Sequence, residues 1–537
     1  MSPTESEKYS RQEGLVHQPR VEKLRIGLKG ANSLLEEQLI LISEHLGVKE
    51  FPVTNDMDME IVIDSNEKNV EKSLYINMKE TGFNLSTEFN AAETSKTLEL
   101  LAPGLSTLAA AMAWQEILQR NNCIRNIPIM KKYATVQFRV NTQFTNISEH
   151  EFGGIQAFYG EQRLALFSQP CDDGTGHIRL TARLDLESSI LKDILQNVDL
   201  KIEKSCDIKE PYSFEFTIPP VEKLPEGNLV VAGVGGLGTW SLHTLFRGVL
   251  NAGGSGQGLN ITIFDPDQSV EIHNLNRQVL YNETHVNRPK ADCAAEILVS
   301  NLSDLNVEFG VQALGLPELD NLLTHDKLEF KSDKDDVDLL EELELTENNL
   351  SSANEVKTIL EEADLILCGV DNLHARGVLS GIAAHLNVPF INAGAENFSG
   401  QFDVFLESGC MACRYGPDAV RDKRITSCQE DGDIPVASIV TTTAIFGALE
   451  GLSALTALSD KSALSYWPTQ AIWGGRSNRL QSLQPPHFMQ GNNHVEHILQ
   501  ALGDLNSNLV KVDMNTSLQS DNMNGASEKK VSTNERR

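Results

Sequence analysis

The sequence predicts an α/β protein: a doubly wound, mostly parallel sheet in residues 222–503, preceded by a reduced α/β domain at 1–128 and a small β-rich module at 132–217. Two textures carry this expectation. In the second half, apolar strand-like runs (NLVVAG, ADLILCGV, VPFINAGA) alternate with segments of helical periodicity, the pattern of parallel strands joined by crossover helices. Between 132 and 217 come short alternating segments such as ATVQFRVNTQF, GGIQAFYG and HIRLTARLDL, with turn residues between them. A chain of 537 residues is long enough for three or four such units, each with its own core.

Taken in order, residues 22–47 read as a short strand, a turn at Gly30 and a helix with apolar Leu34, Leu35, Leu39, Ile42 and Leu46. This opens like a βαβ unit. Ala31, Asn32 and Ser33 stand where a dinucleotide fingerprint needs glycines, so any nucleotide site here is degenerate. Residues 101–121 predict a helix of small apolar residues that packs closely on a sheet. The β-rich module is read as running on to include YSFEFTIPP, and Pro219–Pro225 as a linker. Residues 228–250 read as a buried strand, a glycine turn and an apolar helix, and the next strand ends at Phe264 and Asp265. An acidic insertion at 317–350 includes a run with eight acids against one lysine, which is either a solvated surface or a dock for a basic partner. Residues 508–537 are polar and charged, the composition of a disordered tail.

Charge narrows the function. Lys and Arg total 45 against 75 Asp and Glu, a net charge of −30 that argues against general nucleic-acid or anionic-membrane binding. No run approaches the apolar length of a membrane span, and the N-terminus has no basic-then-apolar signal pattern. Eight scattered cysteines are too few for a disulfide scaffold, so a reducing cytoplasm is the expected home.

Gly233, Gly235, Gly236 and Gly238 fit GxGxxG directly after an apolar strand, letting backbone approach a phosphate at a helix N-terminus. Alone the motif also fits a nicotinamide enzyme, or a turn that only packs helix on strand. The run DPDQSVEIHNLNRQ (265–278) and Lys290, thirteen residues after Arg277, favour a nucleoside triphosphate, whose leaving pyrophosphate needs cations. There is no P-loop lysine.

On these residues, and over about 222–460, the sequence resembles the adenylating domain of the ubiquitin-activating enzyme superfamily (ThiF, MoeB and HesA type), which includes bacterial sulfur-carrier activators. The resemblance implies a Rossmann-like fold, with Asp265 or Asp267 on the ribose and Asn274, Arg277 and Lys290 on phosphates. In CGVDN, it gives Asp371 the Mg²⁺ of Mg-ATP and places Asn372 beside the nucleotide; the plainer reading is that Asp371 caps the next helix. Lys8 to Gln12 (KYSRQ) resembles the segment with which such domains open, whose arginine, here Arg11, reaches the nucleotide site of a partner domain. The implied plan is an inactive adenylation-like half fused to an active one.

Cys410 and Cys413 form a CxxC, half of a family zinc site whose second CxxC is missing here; His487, His494 and His497 lie near its expected place. The alternatives are a Cys₂His₂ zinc site and a vestigial CxxC. Cys428 follows Arg421, Lys423 and Arg424, cations that favour the nucleophilic thiolate. It is expected to take the acyl group as a thioester, the alternatives being another acceptor or a structural thiol.

The expected function is ATP-dependent adenylation of the C-terminal glycine of a ubiquitin-like protein, followed by thioester formation and, in conjugation systems, transfer to a conjugating enzyme. A sulfur-carrier or peptide adenylator without a thioester is the rival enzyme, and a non-catalytic scaffold the rival class.

Overall fold

The computed structural model describes residues 7–12, 14–64, 72–89, 95–125, 133–141, 156–159, 162–170, 177–185, 200–206, 212–315, 353–406, 409–421, 437–475, 477–483, 489 and 493–502; between 133 and 206 it describes the backbone. The expectations for Cys428, His487, the acidic insertion and the tail fall outside these residues.

The N-terminal half opens with β1 (Ile26–Lys29) and α1 (Ser33–Leu46), followed by β2 (Met59–Ile63), β3 (Ser73–Lys79), β4 (Gly82–Ser86) and α2 (Ala102–Arg120). In α1, Leu35, Leu39, Ile42 and Leu46 are buried, and the helix ends at Gly47 in the left-handed region (φ 83°). The strands β1, β2 and β3 pair in parallel and β4 runs antiparallel to β3. A five-stranded antiparallel sheet follows, of β5 (Tyr133–Asn141), β6 (Gln156–Tyr159), β7 (Gln162–Pro170), β8 (His177–Asp185) and β9 (Leu200–Cys206), in the order 6-7-8-5-9. The next strand, β10 (Ser213–Thr217), departs from the sequence reading: it pairs with β4 and closes the N-terminal sheet instead of joining the β-rich module.

The second half carries an eight-stranded sheet in which β11 (Gly227–Ala232) is the middle one of five parallel strands. After α3 (Gly236–Asn251) come β12 (Leu259–Phe264), α4 (Lys290–Asn301), β13 (Asn306–Gly310), α5 (Ala353–Glu361), β14 (Leu365–Cys368), α6 (Leu373–Leu386), β15 (Phe390–Glu396) and β16 (Ser399–Phe405). The chain continues through α7 (Met411–Tyr415), α8 (Val440–Ser459), β17 (Gln470–Gly474), β18 (Arg479–Leu483) and α9 (His494–Leu502). Strands 13-12-11-14-15 are parallel and 15-16-17-18 antiparallel. Side chains alternate across this sheet: Leu229 and Val231 join one core with α3, α4 and α8, while Val230 and Ala232 join a second with α5, α6, α7 and α9.

The first of these cores is continuous with the N-terminal half, and α2 is the reason. Ala102 to Leu118 are all buried. Its helix neighbours are α1, α3 and α8, and, as the sequence reading expects, it also packs on the N-terminal sheet, where it contacts β4 and shares a core with Ile61, Leu74 and Phe83. Small residues permit the approach: a Cβ on Gly104 would lie 2.6 Å from Thr244 Cγ2. Polar pins fix the register, with Trp114 Nε1 donating to Leu39 O (2.9 Å) and Thr441 Oγ1 to Gln115 Oε1 (2.9 Å). The expectation that no run approaches a membrane span is corrected: by length and composition α8 alone among the described helices meets that requirement, but it is wholly buried inside the protein, as a central core helix is.

Candidate active site

The glycine turn between β11 and α3 lies at the C-terminal edge of the parallel strands, where open α/β sheets bind ligands. Its glycines divide the work. Gly233 adopts φ 88°, and a Cβ there would lie 2.9 Å from the Gly369 carbonyl carbon. A Cβ on Gly238 would meet Gly233 O at 2.0 Å, so these two residues hold helix against strand. Gly236 faces Thr443 of α8. Gly235 is different: its nearest neighbour would be Gln278 Nε2 at 3.8 Å, leaving open space for a ligand to approach the backbone.

Asp265 ends β12 almost fully buried, with both oxygens on backbone: Oδ2 accepts from Val234 N (2.7 Å) and Oδ1 from Asp267 N (2.9 Å). Burial raises its carboxyl above the ordinary value, nearby Lys290 opposes the rise and Asp267 adds to it. Asp267 is more accessible and forms an ion pair with Lys290, which sits buried at the start of α4. The Tyr281 hydroxyl lies 3.0 Å from both Val234 O and Lys290 O, tying the glycine turn to that helix.

The NLNRQ segment is buried. Arg277 Nη1 donates to His273 O (2.8 Å) and Asn276 Oδ1 (3.1 Å), while its own carbonyl accepts from Trp240 Nε1 (2.9 Å). Asn274 is buried beside it. From the other half of the chain comes Arg11, 5% exposed, with Nη2 3.1 Å from His273 Nε2 and no hydrogen-bond partner at Nη1. Arg11, Arg277 and Lys290 all act on His273, whose pKa falls to about 4, chiefly through burial and then through those cations. The structure thus brings the three expected cations near His273, and Arg277 also lies against the glycine turn, its Cδ 3.8 Å from where a Cβ on Gly236 would stand.

Asp371 is exposed at the end of β14. The alternative that it caps the following helix is corrected: Asn372 is the cap, its Oδ1 accepting from Ala375 N (2.7 Å). Arg376, on the next turn, is buried and donates through Nε (3.1 Å) and Nη2 (2.7 Å) to Val370 O, fixing the backbone just before Asp371.

On the other core, Cys410, Cys413, His494 and His497 come together with one ligand atom from each within 4.8 Å of the others. Cys413 Sγ lies 3.5 Å from Cys410 Sγ, 3.5 Å from His494 Nδ1 and 3.0 Å from His497 Nδ1. Hydrogen bonding with Cys410 and then with the two histidines draws the Cys413 thiol down to about 5. Sequence reasoning missed the polar network behind this cluster. Asp403 is buried in β16 and accepts from Arg414 Nη1 (3.0 Å), Gln470 Nε2 (3.0 Å), Asn392 Nδ2 (2.9 Å) and the Tyr415 hydroxyl (2.5 Å). Arg414 and Tyr415 belong to α7, so the network fixes the CxxC helix to the sheet. An acid inside the apolar strand QFDVF is the signal that marks it.

Across the N-terminal half the same architecture recurs in reduced form. Gly30 turns with φ 102°, as Gly233 does, and Asp64 closes β2 much as Asp265 closes β12, accepting from Met78 N (2.7 Å). At the helix start, however, Asn32 Oδ1 accepts from Leu35 N (3.2 Å), occupying a donor that a phosphate would need.

Comparison with known proteins fits this arrangement. Over 242 residues the chain is 26% identical to the sulfur carrier protein ThiS adenylyltransferase of Escherichia coli (strain K12), a match covering 44% of this chain and 74% of that protein. It is 30% identical over 237 residues to the adenylyltransferase and sulfurtransferase UBA4 of Meyerozyma guilliermondii, covering 44% of each chain. A third relative, the molybdopterin-synthase adenylyltransferase of Haemophilus influenzae, is 26% identical over 235 residues, covering 44% of this chain and 75% of its own. Residues 215–493, more than half of the sequence, match the ThiF family, and the chain belongs to that family.

Proposed function

We propose that this protein uses ATP to adenylate the C-terminal carboxylate of a ubiquitin-like or sulfur-carrier protein ending in glycine. The observation that supports this best is that Arg11, Arg277 and Lys290 come together near His273, with Arg277 against the glycine turn whose Gly235 is open to a ligand. The carboxylate attacks the α-phosphate, the bond to the bridging oxygen breaks, and pyrophosphate leaves as the acyl-adenylate forms. Negative charge grows on that leaving group, and buried cations already in place stabilise it without reorganising. Asn274 joins them on the phosphates; Asp265, which braces the turn, and the more accessible Asp267 are the two candidates for the ribose.

The residues at the edge of β14 fit a metal on the triphosphate, since Asp371 presents an exposed carboxylate there. Asp371 would hold Mg²⁺, which supplies further charge neutralisation. The N₂S₂ donor set of Cys410, Cys413 and His497, all buried, and half-buried His494 has the chemistry and closeness of a tetrahedral zinc site. It would hold Zn²⁺ as a brace between α7 and α9. We further infer that the N-terminal half is non-catalytic, because Asn32 fills its anion position, and that its service is to deliver Arg11.

After adenylation, the Cys428 thiolate attacks the acyl carbon, the bond to the phosphate oxygen breaks and AMP leaves, so that a thioester forms, in a reducing cytoplasm, for delivery to a conjugating enzyme. A second reading, an adenylator of a sulfur carrier with no thioester, is favoured by the relatives, which are adenylyltransferases and, for UBA4, a sulfurtransferase as well. Incubation with ATP and small β-grasp proteins ending in glycine tests both. The first reading expects pyrophosphate release with an adduct that reducing agent cleaves and that Cys428→Ala abolishes. Pyrophosphate release with no such adduct selects the second reading. No release with any such protein rejects adenylation of this substrate class. Metal analysis expects about one zinc per chain, lost in Cys413→Ser; a metal-free wild type rejects the zinc assignment.

A further inference from the structure

His273 lies between Arg11 and Arg277, and nothing in the reaction as described above uses it. Its ring nitrogen Nε2 is 3.1 Å from Arg11 Nη2, and its backbone carbonyl accepts from Arg277 Nη1 at 2.8 Å. One residue therefore contacts two arginines that lie in opposite halves of the chain. The N-terminal half makes a second contact with the same segment: His45, at the end of α1, has Nδ1 2.8 Å from Leu275 O. Arg11 is also anchored through its backbone, its carbonyl accepting from Ser438 N at 3.0 Å. Its Nη1, buried without a hydrogen-bond partner, is a donor left for a ligand.

We propose that His273 is a positioning residue for the phosphate cradle: its ring holds Arg11 and its carbonyl holds Arg277, so that cations from both halves face one triphosphate. The inference rests on the adenylation reading and adds a device to it. The chemistry requires a neutral ring with its proton on Nδ1, leaving the Nε2 lone pair to accept from the guanidinium. Burial and the surrounding cations favour the neutral form. Glu271 competes for that nitrogen, with Oε2 3.0 Å from Nε2, and it engages the ring only when the proton moves to Nε2. The Arg11 contact and the Glu271 contact are thus alternatives, set by the position of one proton. Were Arg11 unheld, its side chain would have to be ordered anew each time a triphosphate bound, at a cost in affinity.

Affinities for AMP and a non-hydrolysable ATP analogue, together with ATP–pyrophosphate exchange, test this in the full chain. His273→Ala should weaken the ATP analogue by about ten- to a hundredfold and AMP by less than about threefold, because AMP lacks the outer phosphates. His273→Gln, whose amide oxygen lies close to the place of Nε2, should recover ATP affinity to within about threefold of wild type. Arg11→Ala and His273→Ala together should lose little more than either alone, as expected for two residues acting as a unit. Glu271→Ala should tighten ATP binding, since it removes both the competitor and a negative charge.

Four results overturn the proposal: unchanged ATP affinity in His273→Ala, equal losses for ATP and AMP, failure of His273→Gln to restore binding, or weaker ATP binding in Glu271→Ala. A wild type that neither binds ATP nor exchanges pyrophosphate rejects the adenylation reading itself and the inference with it. An active wild type with an indifferent His273→Ala rejects the inference alone.

Discussion

Substituting alanine at two glycines of one turn should separate the fold from the site. At Gly238 the new methyl carbon would lie 2.0 Å from Gly233 O, about 1 Å inside the closest approach that real Cβ atoms show. The obstacle is backbone and cannot rotate away, so the start of α3 must shift from β11. Overpacking of this kind costs about 1–3 kcal/mol, and Gly238→Ala should lower the thermal midpoint by several degrees along with nucleotide affinity. At Gly235 the nearest atom to the new carbon is Gln278 Nε2 at 3.8 Å, an ordinary contact. Gly235→Ala should keep the wild-type midpoint to within about 2 °C, while its methyl fills the space through which a phosphate reaches the backbone. The expected loss of ATP affinity is about ten- to a hundredfold, the equivalent of roughly 1.4–2.8 kcal/mol. Thermal unfolding and titration with an ATP analogue on both variants provide the readout. A Gly235→Ala protein that is fully stable and binds ATP like wild type would refute the claim that this turn cradles phosphate.

Two other outcomes follow from the buried polar groups. Asp403→Ala leaves Arg414 without its only ion-pair partner among the described residues, at a site where both side chains are at most 5% exposed. The loss should be about 3–5 kcal/mol, seen as an earlier chemical denaturation midpoint; a change below about 1 kcal/mol would show the network to be dispensable. Glu450 is buried in α8 with Oε2 accepting from Ser241 Oγ at 2.6 Å, and burial pushes its carboxyl from the ordinary 4.5 up to about 8. The folded protein keeps a proton that the unfolded chain releases, so the resulting stability is full below pH 4.5 and lost as pH rises through about 8. Glu450→Gln has no proton to lose, and its stability relative to wild type should rise with pH across that window, by about 1.4 kcal/mol per pH unit. A difference that is constant from pH 5 to 8 would refute the buried, protonated carboxyl.

What could be read from the sequence is what is local in it. The glycine turn, the strand–helix alternation and the NLNRQ segment with Lys290 are short-range patterns, each fixed by neighbours a few residues away. Contacts between distant segments are a different matter. Arg11 meets His273 across 262 residues, and only the packing of the two halves around α2 creates that meeting. The KYSRQ fragment suggests the arginine's role through resemblance, but no periodicity in the sequence points to its partner. The misplacement of β10 has the same origin: an alternating strand looks alike whether it pairs with β4 or with a separate sheet, and register is a tertiary decision. The helix neighbours of α2 were hidden for a related reason. A helix buried on nearly every side carries no polar face to indicate which neighbour it packs against.

The central claim is that the protein adenylates a carboxylate, with Arg277, Lys290 and Arg11 stabilising the departing pyrophosphate. ATP–pyrophosphate exchange, run with a ubiquitin-like or sulfur-carrier protein that the wild type accepts, tests it most directly when wild type is set beside Lys290→Ala and Arg277→Ala. Each substitution removes a buried cation from charge that grows in the transition state, typically worth about 3–4 kcal/mol. The account predicts exchange in the wild type and a fall of at least about a hundredfold in both variants, with folding retained. Near-wild-type exchange in either folded variant would contradict it.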